Sequence, residues 1–126
     1  MPNSHLPRKP CQTCGREIVW RKKWERSWND VKYCSTPCRR GTSPADLALE
    51  HAILTLLANR DKTATICPSE AAREVYGENW RPHMEAARRA ARRLVVAGKV
   101  EITQSGKVVD PSTASGPIRV RSVYVR

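Results

Sequence analysis

Apolar residues recur at helical spacing in three stretches of the chain. Leu49, Ala52, Ile53, Leu56 and Leu57 share one helix face. Ser43-Pro44-Ala45-Asp46 precedes them and supplies an N-cap hydroxyl, a proline at the first helical position and an acid at the third. A first helix is therefore predicted from about Pro44 to Asn59. Pro68-Ser69-Glu70 opens a second, shorter helix, with Ala71, Ala72 and Val75 inward and Gly77 at its stop. A third is predicted from near Asn79 to about Ala97, ending at Gly98, with Pro82 tolerated in its first turn. The period then changes to two. Val100-Glu101-Ile102-Thr103 alternates as a strand, Gln104-Ser105-Gly106-Lys107 is a turn, and Val108-Val109 returns. Ile118, Val120, Val123 and Tyr124 predict further extended structure.

The first forty residues follow another pattern. Trp20, Trp24 and Trp28 recur every four residues, with Val31 extending the stripe. On a helix they would line one side; in a hairpin they would share a face, because the spacing is also even. Residues 1–10 hold three prolines and read as a flexible lead-in. Gly41-Thr42-Ser43-Pro44 marks a boundary. The chain thus divides into a lead (1–10), a small module (11–42) and a domain (43–126). The joint at Gly41–Ser43 is short, so the two units are expected to pack together.

Four of the five cysteines lie in the small module, as Cys11-x2-Cys14, nineteen residues, then Cys34-x3-Cys38. Two close pairs separated by such a loop suit one tetrahedral zinc ion. Gly15 supplies the permissive backbone that a tight knuckle needs, and neighbouring Arg39 and Arg40 favour thiolates. Disulfides are the alternative. They need an oxidising compartment, whereas the N-terminus carries charge without the apolar stretch of a secretory signal, so a cytoplasmic location is expected. Four thiolates leave no open coordination position, so the zinc is expected to be structural, supplying the folding energy that so small a module lacks. Cys67 reads as a small residue at a helix start. The histidines His5, His51 and His83 form no recognisable pairing with it. With no carboxylate pair and no phosphate-binding glycine loop, the protein is expected not to be an enzyme.

Charge then narrows the partner. The 126 residues carry 23 Lys and Arg against 12 Asp and Glu, a net charge of +11. An acidic partner is implied, and nucleic acid is the first choice. No apolar run approaches the roughly 20 residues of a membrane span, so no membrane partner is expected. The excess sits in two blocks, each with ten cations against three acids: residues 1–43 and 79–126. In the third helix, Trp80, Met84, Ala87, Ala91, Leu94 and Val95 fall on one side. Arg81, Glu85, Arg88 and Arg92 form the centre of the other, flanked by Arg89 and Arg93. Arg81, Arg88, Arg89, Arg92 and Arg93 are thus the expected helix contacts. Arg21, Lys22, Lys23, Arg26, Arg39 and Arg40 form a second basic surface. Lys107 at the hairpin tip and Arg119 and Arg121 on the last strand complete the set. The tryptophans are either stacking platforms among these cations or the mini-core that covers the zinc.

Residues 11–40 resemble a short bacterial zinc-module family of unknown function. The residues that carry this are the C-x-x-C-G-R start, Trp20-Arg21-Lys22-Lys23-Trp24, Trp28 and the closing Tyr33-Cys34-Ser35-x-x-Cys38-Arg39. The resemblance implies zinc and a treble-clef-like finger. Residues 44–126 resemble a second bacterial family of unknown function, predicted to be winged-helix, through Ile66-Cys67-Pro68-Ser69-Glu70, Trp80-Arg81-x-x-Met84, Val109-Asp110-Pro111 and Gly116-Pro117-Ile118-Arg119. The two families occur fused in this order. The expected class is α+β: a treble-clef-like zinc finger followed by a winged helix-turn-helix domain, whose third helix usually enters the major groove. Expected function is binding of DNA, or of RNA including ribosomal RNA. A protein–protein adaptor on the same scaffold is the alternative.

Overall fold

The computed structural model describes residues 6–123. The predicted extended position Tyr124 and the lead-in residue His5 lie outside the described residues.

Helix ends in the larger unit are set by local chemistry. The first long helix, α2 (Pro44–Ala58), follows the four-residue α1 (Thr36–Arg39) of the small module. A capping box holds its start: the Ser43 hydroxyl accepts from the Asp46 N–H at 3.1 Å, and the Asp46 carboxylate accepts from the Ser43 N–H at 2.8 Å. Helix α3 (Pro68–Tyr76) begins the same way, with the Glu70 carboxylate accepting from the Cys67 N–H at 2.9 Å. Cys67 is its half-buried N-cap, in the place its neighbours predicted. Helix α4 (Met84–Val96) starts later than the sequence pattern implied. Pro82 has no N–H to give to a helical ladder. The chain instead makes a 3-10 turn at Arg81–His83, closed by His83 N–H to Trp80 C=O at 2.9 Å, and the His83 ring stacks on Tyr76 with centroids 3.5 Å apart.

Leu49, Ile53 and Leu57 of α2 meet Ala71 and Ala72 of α3 and Ala87, Ala90, Ala91 and Leu94 of α4. The alanines let the helix backbones approach closely, so close packing is reached with few large side chains. The other side of this core is a sheet in the order β3-β6-β4-β5, antiparallel throughout. Its strands are β3 (Thr65–Ile66), β4 (Val100–Gln104), β5 (Lys107–Val108) and β6 (Arg119–Ser122). Val120 pairs with Ile66 on one side and Ile102 on the other, and all three are buried. The β4–β5 turn takes positive φ at Ser105 and Gly106, as a tight antiparallel hairpin requires. Strand β3 is only two residues long, too short to produce a periodic pattern.

The small module has its own buried cluster of Cys11, Cys14, Ile18 and Cys38, with Trp24, Trp28, Val31 and Tyr33 packed against it. Its sheet is a hairpin of β1 (Arg8–Pro10) and β2 (Glu17–Val19). Residues 8–10 are therefore ordered structure and not part of a flexible lead. Lys9 holds this strand in place: its ammonium lies 4.3 Å from the Trp28 ring centroid and donates to the Trp28 carbonyl. The tryptophan segment is neither one helix nor a hairpin. It folds as two 3-10 turns, Lys22–Trp24 and Trp28–Asp30, which bring the Trp24 and Trp28 rings to 5.9 Å. Among the described residues, no helix is long and apolar enough to cross a membrane.

Candidate metal centre and basic surfaces

The β1–β2 turn carries Cys11 and Cys14, Cys34 lies just before α1, and Cys38 lies within it. Their four sulfurs all lie within 4.8 Å of one another. Cys34 Sγ is 3.6 Å from both Cys14 Sγ and Cys38 Sγ. A tetrahedral zinc with Zn–S bonds of about 2.3 Å has sulfur–sulfur edges of about 3.8 Å, so the donor set fits one such ion. The Cys34 N–H points at Cys11 Sγ at 3.4 Å, a contact that favours a thiolate there. Cys11, Cys14 and Cys38 are buried and Cys34 is exposed.

Burial raises the Cys11 thiol, but N–H donors from Cys14, Cys34 and Thr13 outweigh it and bring it down to about 7. Burial pushes Cys14 up to about 12, and raises Cys38 as well. Without metal, the cluster holds protons that an incoming ion must displace. The arrangement is a candidate structural zinc site. Four protein sulfurs fill a tetrahedral shell and leave no position for substrate.

Behind this knuckle lies α4. Gly15, at φ 77°, is pressed so closely onto the helix that a Cβ there would sit 2.5 Å from Arg92 Cβ and 2.9 Å from the Arg92 carbonyl carbon. The Arg92 Nε donates to the Cys14 carbonyl at 2.6 Å and its Nη2 to Glu85 at 2.8 Å. The Arg93 Nη1 donates to the Thr13 carbonyl at 2.7 Å, while its Nε bonds Glu50 at 2.6 Å. Thr13 turns its hydroxyl back to the Cys38 carbonyl at 2.6 Å. On the far side, the Glu17 N–H donates to Ser112 Oγ at 2.9 Å. The two units are therefore docked, as the short joint predicted.

This docking corrects the expectation that Arg92 and Arg93 face solvent as helix contacts. Arg92 is only 4% exposed and the Arg93 side chain 9%. The knuckle's carbonyls need donors once buried, and a guanidinium supplies several in one plane. Arg88 is half-buried, and its Nε is sealed from solvent with no partner among the described residues. Arg81 and Arg89 stay exposed. Arg89 is 3.9 Å from Glu85, and Arg81 lies over the Trp80 ring at 4.9 Å, with Arg73 at 4.5 Å. Lys107 is exposed at the hairpin turn. Arg119 donates to Thr65 Oγ1 and to the Thr65 carbonyl, and Arg121 pairs with Glu101 at 2.6 Å.

The small module treats its cations differently. Arg21, Lys22, Lys23, Arg26, Arg39 and Arg40 are all exposed. Of these, only Lys22 has a carboxylate partner among the described residues, Glu25 at 3.6 Å. Arg21 and Lys23 lie 5.7 Å and 5.1 Å from the Trp24 centroid. Lys32 joins them, exposed and unpaired among the described residues, although the sequence pattern did not single it out. Its signal was present in the same charge run, next to Tyr33. Lys32, Lys23 and Arg39 border an open cleft of ≈ 670 Å³ beside the cysteine cluster.

The molecule is thus a four-cysteine module docked on a helix-turn-helix-like α+β domain. Residues 46–123 match the family described as "Protein of unknown function (DUF3253)", and the chain belongs to that family. Residues 2–41 match a second family, "Uncharacterized protein conserved in bacteria (DUF2256)". The two-family architecture read from the motifs is therefore present. Among curated proteins, no relative matches the chain.

Proposed function

We propose that the protein is a non-catalytic nucleic-acid-binding protein, a zinc-loaded treble-clef-like finger seated on a winged-helix domain. The observation that carries this reading is the set of unpaired cations on the small module. Arg21, Lys23, Arg26, Lys32, Arg39 and Arg40 are exposed and have no carboxylate partner among the described residues. The exposed acids of this face, Glu25 and Asp30, are outnumbered by its cations, and Glu25 pairs only with Lys22, so a polyanion would neutralise the excess. The tight β4–β5 hairpin with Lys107 at its turn supports the winged-helix reading of the larger unit. Zinc would hold Cys11, Cys14, Cys34 and Cys38 together and so present the cationic turns as one rigid surface.

Titration of zinc-loaded protein with duplex DNA, single-stranded RNA and structured RNA, followed by Trp fluorescence across a salt series, tests the proposal. The expected result is submicromolar binding whose logarithm falls with log salt at about −0.7 to −0.9 per phosphate contacted. An Arg39→Glu/Arg40→Glu variant should bind far more weakly while keeping its fold. Binding no stronger than weak polyanion affinity would overturn the proposal in favour of a protein-interaction adaptor. One observation favours that second reading: the groove of ≈ 610 Å³ between α2 and α3, bordered by Ala52, Leu56 and Val75.

A further inference from the structure

We infer that the small module captures an unpaired nucleotide in the cleft beside the cysteine cluster, so that the ligand is single-stranded nucleic acid and not duplex. This rests on the nucleic-acid reading above. Two independent observations carry it.

The first is what the docking does to α4. A helix-turn-helix domain reads duplex by laying the outward face of its recognition helix in the major groove. In this protein Arg92 sits at the centre of that face, and the knuckle backbone at Gly15 is pressed against it. The Cys14 and Thr13 carbonyls take the guanidinium donors of Arg92 and Arg93. The helix is thereby covered by the module at Arg92 and Arg93, and the charges that would meet phosphates there are spent inside the molecule. A duplex could reach Arg92 and Arg93 only if the two units separated.

The second is the cleft itself. At ≈ 670 Å³ it lies within the range of about 300–1,000 Å³ typical of small-ligand sites. Trp24 and Tyr33 line it, with Lys23, Lys32, Arg39 and Asp30. Two aromatic rings offer stacking faces for a base, three cations meet the flanking phosphates, and a carboxylate accepts from an exocyclic amine or a ribose hydroxyl. Trp24 and Tyr33 also pack on the cysteine cluster, which fixes them in place before any ligand arrives. Such pre-ordering lowers the entropic cost of capture. A base in a duplex is already stacked and paired and cannot enter a cleft. An unpaired base can.

The test uses the full zinc-loaded chain and four probes of equal length: single-stranded RNA, single-stranded DNA, duplex DNA, and a single strand whose sugars carry no bases. The single strands should bind at least about tenfold more tightly than duplex, and the abasic strand about tenfold more weakly than its base-bearing counterpart. Lys32→Gln/Arg39→Gln, two exposed positions in the cleft, should lower single-strand affinity about tenfold. Arg21→Gln/Arg26→Gln removes the same charge outside it and should cost only about two- to threefold. Duplex binding equal to or tighter than single-strand binding, an abasic strand that binds as well as its counterpart, or equal effects of the two double variants would each overturn the inference. The wider nucleic-acid reading would still stand. No binding to any probe would overturn both.

Discussion

Residues 1–43, which contain the small module, and residues 79–126 carry the same excess of positive charge, yet they use it in opposite ways. In the module, Arg21, Lys23, Arg26, Lys32, Arg39 and Arg40 reach into solvent without acidic partners among the described residues. In the larger domain, Arg92, Arg93 and Arg121 are tied to Glu85, Glu50 and Glu101, and the first two also hold the module's backbone. The same residue type is thus a contact candidate in one region and a strut in the other. What separates the two roles is the presence of buried acceptors nearby. A carbonyl removed from water needs a donor, and an arginine that supplies it is no longer available to a ligand.

The largest expected effect falls on the module alone. Cys38→Ser, or removal of zinc by a chelator, should unfold it, because its buried cluster consists mainly of the cysteines themselves. Structural zinc contributes on the order of 10 kcal/mol to such a module. Metal analysis should find one zinc per chain in the parent and near none in the variant. The near-ultraviolet circular dichroism of the tryptophans should collapse. The helical signal of α2–α4 should persist, since that core has its own cluster of buried residues.

Next in size is the strut. Arg92→Ala leaves the Cys14 carbonyl without its side-chain donor and should destabilise the protein by about 2–3 kcal/mol in denaturant unfolding. Gly15→Ala attacks the same contact from the other side, through both its positive φ and the clash with Arg92, and should loosen the docking comparably. If both variants kept parental stability, the assignment of Arg92 as a strut would fail.

Arg39→Ala is the mirror image. Its stability should stay within about 0.5 kcal/mol of the parent, while nucleic-acid affinity drops and the salt slope becomes shallower by about one phosphate. A destabilised Arg39→Ala with unchanged affinity would erase the contrast between the two regions.

The smallest effect concerns pH. The Arg60 guanidinium, 2.5 Å from Glu70, holds that carboxyl below its usual value, helped by the Cys67 N–H at the start of α3. A carboxyl lowered in the folded state adds stability that is present above its ordinary value of about 4.3 and is lost as pH falls through the folded value. The melting temperature of the parent should therefore drop more steeply than that of Glu70→Gln between pH 6 and pH 3. Parallel curves would remove Glu70 from the acid response.

Much of the fold was legible because it is written in local rules. The caps Ser43 and Cys67, the stops at Gly77 and Gly98, and the Ser105-Gly106 turn each depend on residues within a few positions of one another. The tryptophan stripe misled because a spacing of four suits helix and strand equally. The two 3-10 turns formed instead, with Trp24 and Trp28 packed against the cysteine cluster. Strand β1 hid among prolines, and only its pairing with Glu17–Val19 reveals it.

By itself the sequence determined the two close cysteine pairs, the helix caps and the hairpin, since each rests on short-range spacing, while the two-family order came from the resemblance of its motifs to known families. Only the tertiary structure decided which arginines remain free. Helical periodicity tells which side of α4 turns away from its own core. It cannot tell whether another unit of the chain will settle on that side. The approach of Gly15 to Arg92 places two buried carbonyls within reach of two guanidiniums, and that proximity between residues nearly eighty positions apart turned expected contacts into struts.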